Sequence, residues 1–274
     1  MRWARVKVRD KVLKGEVRKG EIVTEEGEFP LTEVKFLPPV DPPFILCTLA
    51  NTPEMLGFKS KEEGREALGT PKFFVKLPNT VVGHNDTVVI PKSGFRPEVE
   101  IGVIIGKSLW KPTKEQVKEA ILGYTVFNDV TAPAEFKKES YYAMRRDPAD
   151  GKVKRMLIRG NHFRNKNRPT FSPMGPVVVS PDEIDVFNLS MRSYVNGKII
   201  QNGSSSSLIF SVDEVIYELS KIIELPRYTV ITTGSVGYKA EEQSEFLLEP
   251  VNGEMVAEVE GIGILRNEIR VEEQ

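Results

Sequence analysis

Short apolar runs separated by glycine, proline, asparagine or aspartate recur along the 274-residue chain. This pattern is typical of β-strands joined by turns. The predicted strands are Trp3–Val8, Val12–Val17, Glu21–Thr24, Phe44–Leu49, Phe73–Leu77, Thr87–Ile90, Glu98–Lys107, Tyr124–Asn128, Pro176–Val179, Leu189–Val195, Lys198–Gln201, Tyr228–Thr232, Phe246–Glu249 and Met255–Val259. Because these runs outnumber the helical patterns and do not alternate with them, the sequence predicts a mainly β or α+β fold.

Helix starts are predicted at Ser60, Thr113 and Ser211, because glutamate or glutamine follows each of them three residues later, as in a capping box. The helix after Ser211 has the clearest period. Its apolar residues on one face are Val215, Ile216, Leu219, Ile222 and Ile223. These few helices leave the prediction of a mainly β fold unchanged.

Prolines between Pro38 and Pro43 fix an extended segment that cannot join the interior of a sheet. We interpret it as the link between a small N-terminal β unit, residues 1–42, and a main domain, residues 43–274. Residues 137–168 are dense in Lys, Arg and Asp and lack periodicity. Long segments of this kind inside a domain are usually functional or disordered, so we expect an ordered lid or a mobile loop.

Composition excludes some classes of partner. The chain has 38 Lys and Arg against 39 Asp and Glu, a formal net charge of −1. This balance gives no electrostatic reason to expect nucleic acid or an anionic membrane as partner. Cys47 is the single cysteine, so a reducing compartment is the default. No apolar run approaches the ~20 residues of a membrane span, and we expect a soluble, cytoplasmic protein.

Three carboxylates carry the candidate chemistry. Glu98 and Glu100 are two apart in a predicted strand, so both leave the same face. Asp129 ends a second apolar run and can add a third oxygen ligand. Acids on strands are usually solvent-facing, but the apolar residues after Glu100 do not alternate, which favours a strand buried on both faces. Buried acids need a positively charged partner. The partner is either a divalent metal ion, Mg²⁺ or Mn²⁺, or the side chain of a Lys or Arg.

The order of further motifs resembles the fumarylacetoacetate hydrolase superfamily. The resemblance runs from about Phe73 to Asn267. Its motifs are Phe74-Val75-Lys76, Pro97-Glu98-Val99-Glu100, Gly123-Tyr124-Thr125-Val126-Phe127-Asn128-Asp129, Lys166 with Phe171-Ser172-Pro173-Met174-Gly175-Pro176, Val195-Asn196-Gly197 with Gln201, Ile209-Phe210-Ser211, Thr233-Gly234-Ser235, and Glu260-Gly261-Ile262-Gly263. The resemblance implies a mixed β-sandwich roll, usually a homodimer, that acts on small 2-oxo acids and their enols.

The resemblance also assigns roles to single residues. Glu98, Glu100 and Asp129 would hold Mg²⁺ or Mn²⁺, and Lys166 would move a proton or stabilise charge near the metal. Ser235, with Gly234 beside it, would contact the substrate carboxylate. A divalent cation chelated by a 2-oxo acid stabilises an enolate as a Lewis acid, and a lysine within reach can then transfer a proton.

Two departures from the family pattern bear on the reaction. Met55 stands where hydrolytic members carry the histidine that activates water, and a thioether is no general base. Pro133 and Phe136 replace the Arg and Gln that grip the substrate. The branch that handles 2-hydroxyhepta-2,4-diene-1,7-dioate resembles this chain in having a proline-containing stretch and a weak histidine motif. These features favour an isomerase or decarboxylase.

Several side chains are candidates to replace the missing groups. His162 could supply a base if the charged segment folds over the metal, and Tyr141 could reach the substrate. The candidate cations for an anionic substrate are Arg145, Arg146, Arg164 and Arg168. The alternatives to an isomerase or decarboxylase are a carbon–carbon bond hydrolase of acylpyruvate type and an inactive metal-binding relative.

Overall fold

Strands dominate the computed structural model, which describes residues 1–239, 243 and 246–273. The strands are β1 (Arg2–Val8), β2 (Lys11–Arg18), β3 (Glu21–Thr24), β4 (Gly27–Pro30), β5 (Lys35–Phe36), β6 (Ile45–Leu49), β7 (Lys72–Lys76), β8 (Val81–Val82), β9 (Thr87–Ile90), β10 (Val99–Ile105), β11 (Ile121–Asn128), β12 (Tyr141–Arg146), β13 (Val153–Ile158), β14 (Ser172–Val179), β15 (Ser190–Val195), β16 (Lys198–Ser204), β17 (Val230–Thr232), β18 (Gly253–Val259) and β19 (Gly263–Val271). The helices are α1 (Pro53–Leu56), α2 (Lys61–Leu68), α3 (Lys114–Ala120), α4 (Pro133–Lys137), α5 (Phe163–Lys166) and α6 (Val212–Ile222). The predicted mainly β class is confirmed.

Two mixed sheets build the body of the molecule. The larger sheet has the order β4-β3-β2-β1-β14-β11-β10-β17-β6-β7, with β5 beside β1 and β8 beside β14. The smaller sheet has the order β16-β15-β18-β19-β9. Parallel pairs β17–β6 and β19–β9 occur among antiparallel ones. Since buried residues of both sheets and of α6 form one hydrophobic cluster, the sheets pack as a mixed sandwich.

The N-terminal strands extend the larger sheet. β1 pairs antiparallel with β14, with Trp3 opposite Val178. On its other side β1 pairs with β2, and the hairpins continue outwards to β4. A hydrophobic cluster of their own holds these strands, with Ala4, Val6, Leu13 and Ile22 buried. The N-terminal strands therefore have a small cluster of their own, and they join the rest through the pairing of β1 with β14 and through Trp3, which packs in the same cluster as Ile45 and Val178.

β10 is the central strand for the site. Every residue from Val99 to Ile105 is buried, as the lack of alternation predicted. Ile101 and Val103 point into the core between the sheets. Successive side chains of a strand leave opposite faces, so Glu98 and Glu100 leave the other face, together with Ile104. The carboxylates thus lie on the side of the larger sheet that faces away from the sandwich core.

The three predicted helix starts are confirmed. Ser211 and Glu214 form a complete capping box at α6, and Thr113 and Gln116 form another at α3. At α2 the hydroxyl of Ser60 accepts a hydrogen bond from Glu63. One residue of the predicted apolar face of α6 departs from it, because Ile222 in the last turn is 64% exposed.

The sequence prediction is wrong in one strand and misses six strands. Residues 246–249 form no strand, and only Leu248 makes an isolated bridge, with Phe95. The backbone there serves a side chain instead, since the carbonyl of Phe246 accepts a hydrogen bond from Arg96. The strands that were not predicted are β4, β5, β8, the two strands of the antiparallel hairpin β12–β13, and β19. The hairpin gives the charged segment 137–168 an ordered centre.

None of the helices among the described residues combines the length and the apolar character needed to cross a lipid bilayer.

Candidate active site

Strand pairing brings the three acids together. β10 and β11 are antiparallel, and Val99 lies opposite Asn128. This register places Glu98 opposite Asp129, and the N–H of Asp129 donates a 2.8 Å hydrogen bond to the carbonyl of Glu98. Glu100 follows two residues along the same face of β10. The structure therefore assembles the acidic triad Glu98, Glu100 and Asp129 from two neighbouring strands.

The acidic triad has the geometry of a cation site. One carboxylate oxygen from each acid lies within 4.8 Å of the others. All three side chains are buried, with Glu98 the most exposed at 4%. Three carboxylates and no nitrogen or sulfur ligand form a set of hard oxygen donors, which Mg²⁺ and Mn²⁺ prefer.

Two lysines and an arginine surround the acidic triad. Nζ of Lys166 donates to Oε2 of Glu98 at 2.7 Å and to Oδ2 of Asp129. Nζ of Lys76 donates to Oδ1 of Asp129 at 2.5 Å, and the side chain of Lys76 is fully buried. Nε of Arg96 donates to Oε1 of Glu98 at 2.9 Å. Glu98 and Asp129 are therefore both paired with basic side chains.

These pairs set the charge states of Glu98 and Lys166. Burial would raise the pKa of Glu98, but the charges of Lys166 and Arg96 bring it down to about 2. Burial would lower the pKa of Lys166, but the carboxylates of Asp129 and Glu98 raise it above its usual value. Lys166 is thus held as an ammonium group beside the acidic triad.

Glu100 is the acid without a basic partner. Its Oε2 accepts a 2.9 Å hydrogen bond from the N–H of Gly234, and none of the described residues forms an ion pair with it. Burial, then the charges of Asp129 and Glu98, raises the pKa of Glu100 to about 8. A divalent cation would remove this repulsion, so the residues present fit a metal ion. Such an ion would share oxygens with the ammonium of Lys166 or displace it.

Two acids of the triad, Glu98 and Glu100, open into a cavity of about 840 Å³. Glu98, Glu100, Lys166 and Ser235 all line it. The rest of the lining is largely apolar: Leu49, Met55, Leu56, Phe74, Pro133, Phe136, Leu157 and Leu247. A mostly apolar cavity with a few convergent charged groups is typical of a small-molecule site.

Ser235 and Gly234 have different positions. The hydroxyl of Ser235 lines the cavity and accepts a 2.7 Å hydrogen bond from Nε2 of Gln201. Gly234 acts through its backbone N–H on Glu100. Its φ is 89°, and a Cβ atom there would lie 2.7 Å from Cβ of Asn51. Glycine is therefore required at position 234 for conformation and for space.

The charged segment contributes residues that the sequence did not single out. Tyr142 and Leu157 of the hairpin, and Arg159 after it, line the cavity. Tyr141 is 54% exposed and is not among the lining residues, because neighbouring residues of a strand leave opposite faces.

Arg159, rather than Arg145, Arg146, Arg164 or Arg168, is the arginine that this segment brings to the cavity. Arg164 and Arg168 instead pair with Glu135 and Glu272. Within β12, Arg145 leaves the face opposite to that of Tyr142, whereas Arg146 shares the face of Tyr142 but lies next to the hairpin turn, opposite Val153. This placement could be read only once the hairpin register was known.

His162 also lies in the cavity wall. Its ring stacks on Phe136, with centroids 4.4 Å apart, and tilts against Phe74 at 5.7 Å. Burial and the ammonium of Lys166 lower the pKa of His162 to about 4. The imidazole is therefore neutral at physiological pH but is a weak base.

The model of the fumarylacetoacetate (FAA) hydrolase C-terminal family matches residues 45–270. The chain therefore belongs to the fumarylacetoacetate hydrolase family, as its motifs indicated.

Two curated relatives are a bifunctional isomerase/decarboxylase and a tautomerase. The chain is 33% identical over 207 residues to the 4-hydroxyphenylacetate degradation bifunctional isomerase/decarboxylase of Salmonella dublin. The match covers 74% of this chain and 42% of that protein. It is 33% identical over 215 residues to the oxaloacetate tautomerase YisK of Bacillus subtilis strain 168. This match covers 76% of this chain and 64% of that protein.

Two solved structures share the fold. The 2-hydroxyhepta-2,4-diene-1,7-dioate isomerase from Mycobacterium marinum is 23% identical, with a TM-score of 0.78 over the whole of both chains. Maleylpyruvate hydrolase from Sphingobium sp. SYK-6, in complex with manganese(II) and pyruvate, is 20% identical, with a TM-score of 0.73 over 99% of each chain. At these identities the structures show the fold alone.

Proposed function

We propose that this protein is a divalent-metal-dependent lyase or isomerase that converts a small 2-oxo or 2-hydroxydienoic acid through an enolate, by decarboxylation or keto–enol isomerisation. The observation that carries the proposal is the buried acidic triad, whose oxygens converge within 4.8 Å beside an apolar cavity. The isomerase/decarboxylase of Salmonella dublin and the tautomerase of Bacillus subtilis support this class of reaction.

Glu98, Glu100 and Asp129 would hold Mg²⁺ or Mn²⁺, and the manganese ion in the maleylpyruvate hydrolase structure supports a divalent metal. The metal would act as a Lewis acid on the oxygens of the 2-oxo acid and stabilise the negative charge that develops next to the carbonyl.

Lys166 is the proposed proton-transfer group. Its ammonium lies between Glu98 and Asp129, and it is 3% exposed. In this position it can donate a proton to the reacting carbon or stabilise negative charge on the substrate. Leu49, Leu56 and Phe74 line the cavity, and electrostatic interactions are stronger in apolar surroundings than in water.

Ser235 is the proposed contact for the substrate carboxylate, because its hydroxyl lines the cavity and is oriented by Gln201. Tyr142 takes the place considered for Tyr141, since Tyr142 lines the cavity. Gly234 would then serve the metal ligand Glu100 rather than the substrate.

Two residues disfavour the alternative of a hydrolase. Met55 lines the cavity and stands at the position where hydrolytic members of the family carry the water-activating histidine. Its thioether cannot act as a base. His162 is the remaining candidate, but with a pKa of about 4 it would take a proton from water only poorly. Isomerisation and decarboxylation need no activated water.

We extend the proposal to assembly and location. A homodimer is what the family resemblance implies, and the single cysteine, Cys47, which is buried and free, favours the reducing compartment of the cytoplasm. Light scattering coupled to size-exclusion chromatography tests the dimer directly.

A turnover screen tests the proposed reaction. The substrates are oxaloacetate, acylpyruvates, 2-keto-3-deoxy sugar acids and 2-hydroxyhepta-2,4-diene-1,7-dioate, each with Mg²⁺ or Mn²⁺ and with a chelator. We expect metal-dependent tautomerisation or decarboxylation of at least one substrate and loss of that activity in Asp129→Asn. Cleavage of an acylpyruvate to pyruvate and an acid would favour the hydrolase. Ligand binding without any turnover would favour an inactive relative.

A further inference from the structure

Arg159 is the arginine of the charged segment that contacts no other protein group. It lines the cavity and forms no hydrogen bond, ion pair or ring contact with any of the described residues. The other arginines of residues 137–168 each engage a backbone carbonyl, an aromatic ring or a carboxylate, and they are Arg145, Arg146, Arg155, Arg164 and Arg168. A guanidinium group carries five N–H donors in a planar fork that matches the two oxygens of a carboxylate. The donors of Arg159 are therefore available to a ligand.

The register of the hairpin places Arg159 on the face that meets the cavity. Tyr142 and Leu157 lie opposite each other in β12 and β13, and both line the cavity. When this antiparallel register is continued by two residues, Ser140 lies opposite Arg159 on the same face. Ser140 lines the cavity as well. The end of the hairpin nearest the cavity thus presents two hydroxyl groups, a leucine and Arg159 on one face.

Negative and positive groups have different places in the cavity wall. The acids that line it, among the described residues, are Glu98 and Glu100 of the buried triad. Arg159 is exposed and so lies at the solvent side of the cavity, and Lys137 of α4 adds another positive charge to the lining. The acids repel a carboxylate unless a metal ion is bound between them, whereas Arg159 attracts one. The cavity can therefore receive one carboxylate at a bound metal ion and a second one at Arg159.

The size and lining of the cavity fit a ligand that is longer than its reacting group. The volume of about 840 Å³ falls in the range of sites that hold drug-sized molecules. A 2-oxo acid group at the acidic triad would occupy a small part of it. Much of the remaining wall is apolar, and Phe74, Phe136 and Leu157 are examples. Such a wall suits a hydrocarbon chain between two charged ends.

We propose that the substrate carries a second carboxylate, at the end away from its reacting group, and that Arg159 binds this carboxylate. Arg159 is then the residue that selects a dicarboxylic acid over a monocarboxylic one. Two parallel hydrogen bonds from a guanidinium group to a carboxylate also fix the direction in which the substrate enters the cavity. This selection rests on the proposed function, which places the reacting end of the substrate at the metal.

Pairs of 2-oxo acids with equal numbers of carbon atoms test the selection. The dicarboxylates are 2-oxoglutarate, 2-oxoadipate and 2-oxopimelate, and their partners 2-oxopentanoate, 2-oxohexanoate and 2-oxoheptanoate end in a methyl group instead. Binding is measured by calorimetry with Mn²⁺ present, for the wild type and for Arg159→Met. We expect the wild type to bind the dicarboxylate of at least one pair about threefold to tenfold more tightly than its partner. Arg159→Met should abolish this preference and change the affinity for the monocarboxylate by less than about twofold.

Arg145→Met is the matched control. Arg145 is exposed on the opposite face of the same hairpin and does not line the cavity. Its replacement removes the same charge, so we expect Arg145→Met to keep the preference of the wild type. Thermal unfolding of Arg159→Met without ligand should match that of the wild type, because an exposed side chain without protein partners is removed.

The outcomes separate this selection from the proposed function. Equal affinities within all three pairs in the wild type, or the same preference in the wild type and Arg159→Met, would overturn the role of Arg159. Equal losses in Arg159→Met and Arg145→Met would also overturn it, because the preference would then reflect a general attraction of anions. Failure of all six acids to bind the wild type with Mn²⁺ would instead overturn the proposed function, and the selection with it.

Discussion

The backbone N–H of Gly234 donates a 2.9 Å hydrogen bond to Oε2 of Glu100, the one acid of the triad that no described basic side chain pairs with. Gly234 lies in the loop that follows β17, and its hydrogen bond holds the carboxylate of Glu100 on β10 in place. It also requires a backbone with φ of 89°, which glycine adopts freely. The conformation of one glycine thus positions one proposed metal ligand.

Gly234→Ala should disturb the hydrogen bond to Glu100, because it strains the backbone at position 234. The added Cβ would lie 2.7 Å from Cβ of Asn51, and alanine is strained at this φ. We expect a loss of about 1–3 kcal/mol in the free energy of unfolding, measured by urea denaturation, and a weaker affinity for Mn²⁺. The control is Gly57→Ala, where φ is also positive but no atom lies within 4 Å of the added Cβ. Equal metal affinity in the wild type and Gly234→Ala would contradict the role assigned to Gly234.

Lys166→Met should separate catalysis from metal binding. The substitution removes the proposed proton-transfer group, so we expect turnover of the substrate found in the screen to fall by about 10²- to 10⁴-fold. It also removes a positive charge that pairs with Glu98 and Asp129, so the affinity for Mg²⁺ should stay equal or rise. Lys152→Met, at an exposed position beyond the cavity, is the matched control. Retained turnover in Lys166→Met would remove Lys166 from the mechanism.

The pH dependence of stability should report on His162. Its pKa is about 4 in the folded protein against an ordinary value of 6.5, and the charged groups that act on it are Lys166, Glu98, Asp129 and Glu139. The folded state therefore favours the neutral ring. The associated stability is present above pH 6.5 and is lost as the pH falls towards 4.

Metal-free wild-type protein should accordingly lose about 1–2 kcal/mol more between pH 7 and pH 5 than His162→Asn, measured by chemical denaturation at each pH. His84 has a lowered pKa in both proteins, so its contribution cancels in the comparison. Parallel stability curves for the two proteins would show that the ring of His162 is protonated as readily in the fold as in the unfolded chain.

The acidic triad could be predicted because its geometry is short-range. The spacing of Glu98 and Glu100 fixes a common face, and Asp129 ends an apolar run that pairs with the same strand. The partners of the triad are long-range. Lys76 is 53 residues from Asp129 along the chain. A lysine at the end of a strand is compatible with an exposed side chain as well as with the buried ion pair that forms, so the sequence did not decide between them.

Three of the missed strands, β12, β13 and β19, were missed for physical reasons. β12 and β13 carry charged and large apolar residues exposed on both faces, so neither shows the alternation of a half-buried strand. In β19 the buried face includes Asn267, which donates to the carbonyls of Gly83 and Asp86. A polar residue at a core position interrupts the apolar pattern, although its hydrogen bonds are satisfied in the fold.

Metal binding to Glu100→Gln tests the central claim most directly. The variant keeps the shape of the side chain and an acceptor for Gly234, but it removes the carboxylate that has no basic partner. With chelator at pH 7, Glu100→Gln should be more stable than the wild type by about 1–3 kcal/mol, because a carboxyl whose pKa rises to about 8 must take up a proton on folding and the amide need not.

Thermal unfolding of both proteins is measured with chelator and with saturating Mg²⁺ or Mn²⁺. We predict that metal at about 100 times its Kd stabilises the wild type by about 2.7 kcal/mol, a rise of roughly 5–10 °C in Tm, and leaves Glu100→Gln almost unchanged. Equal metal-induced shifts in the two proteins, or no shift in the wild type, would contradict the account.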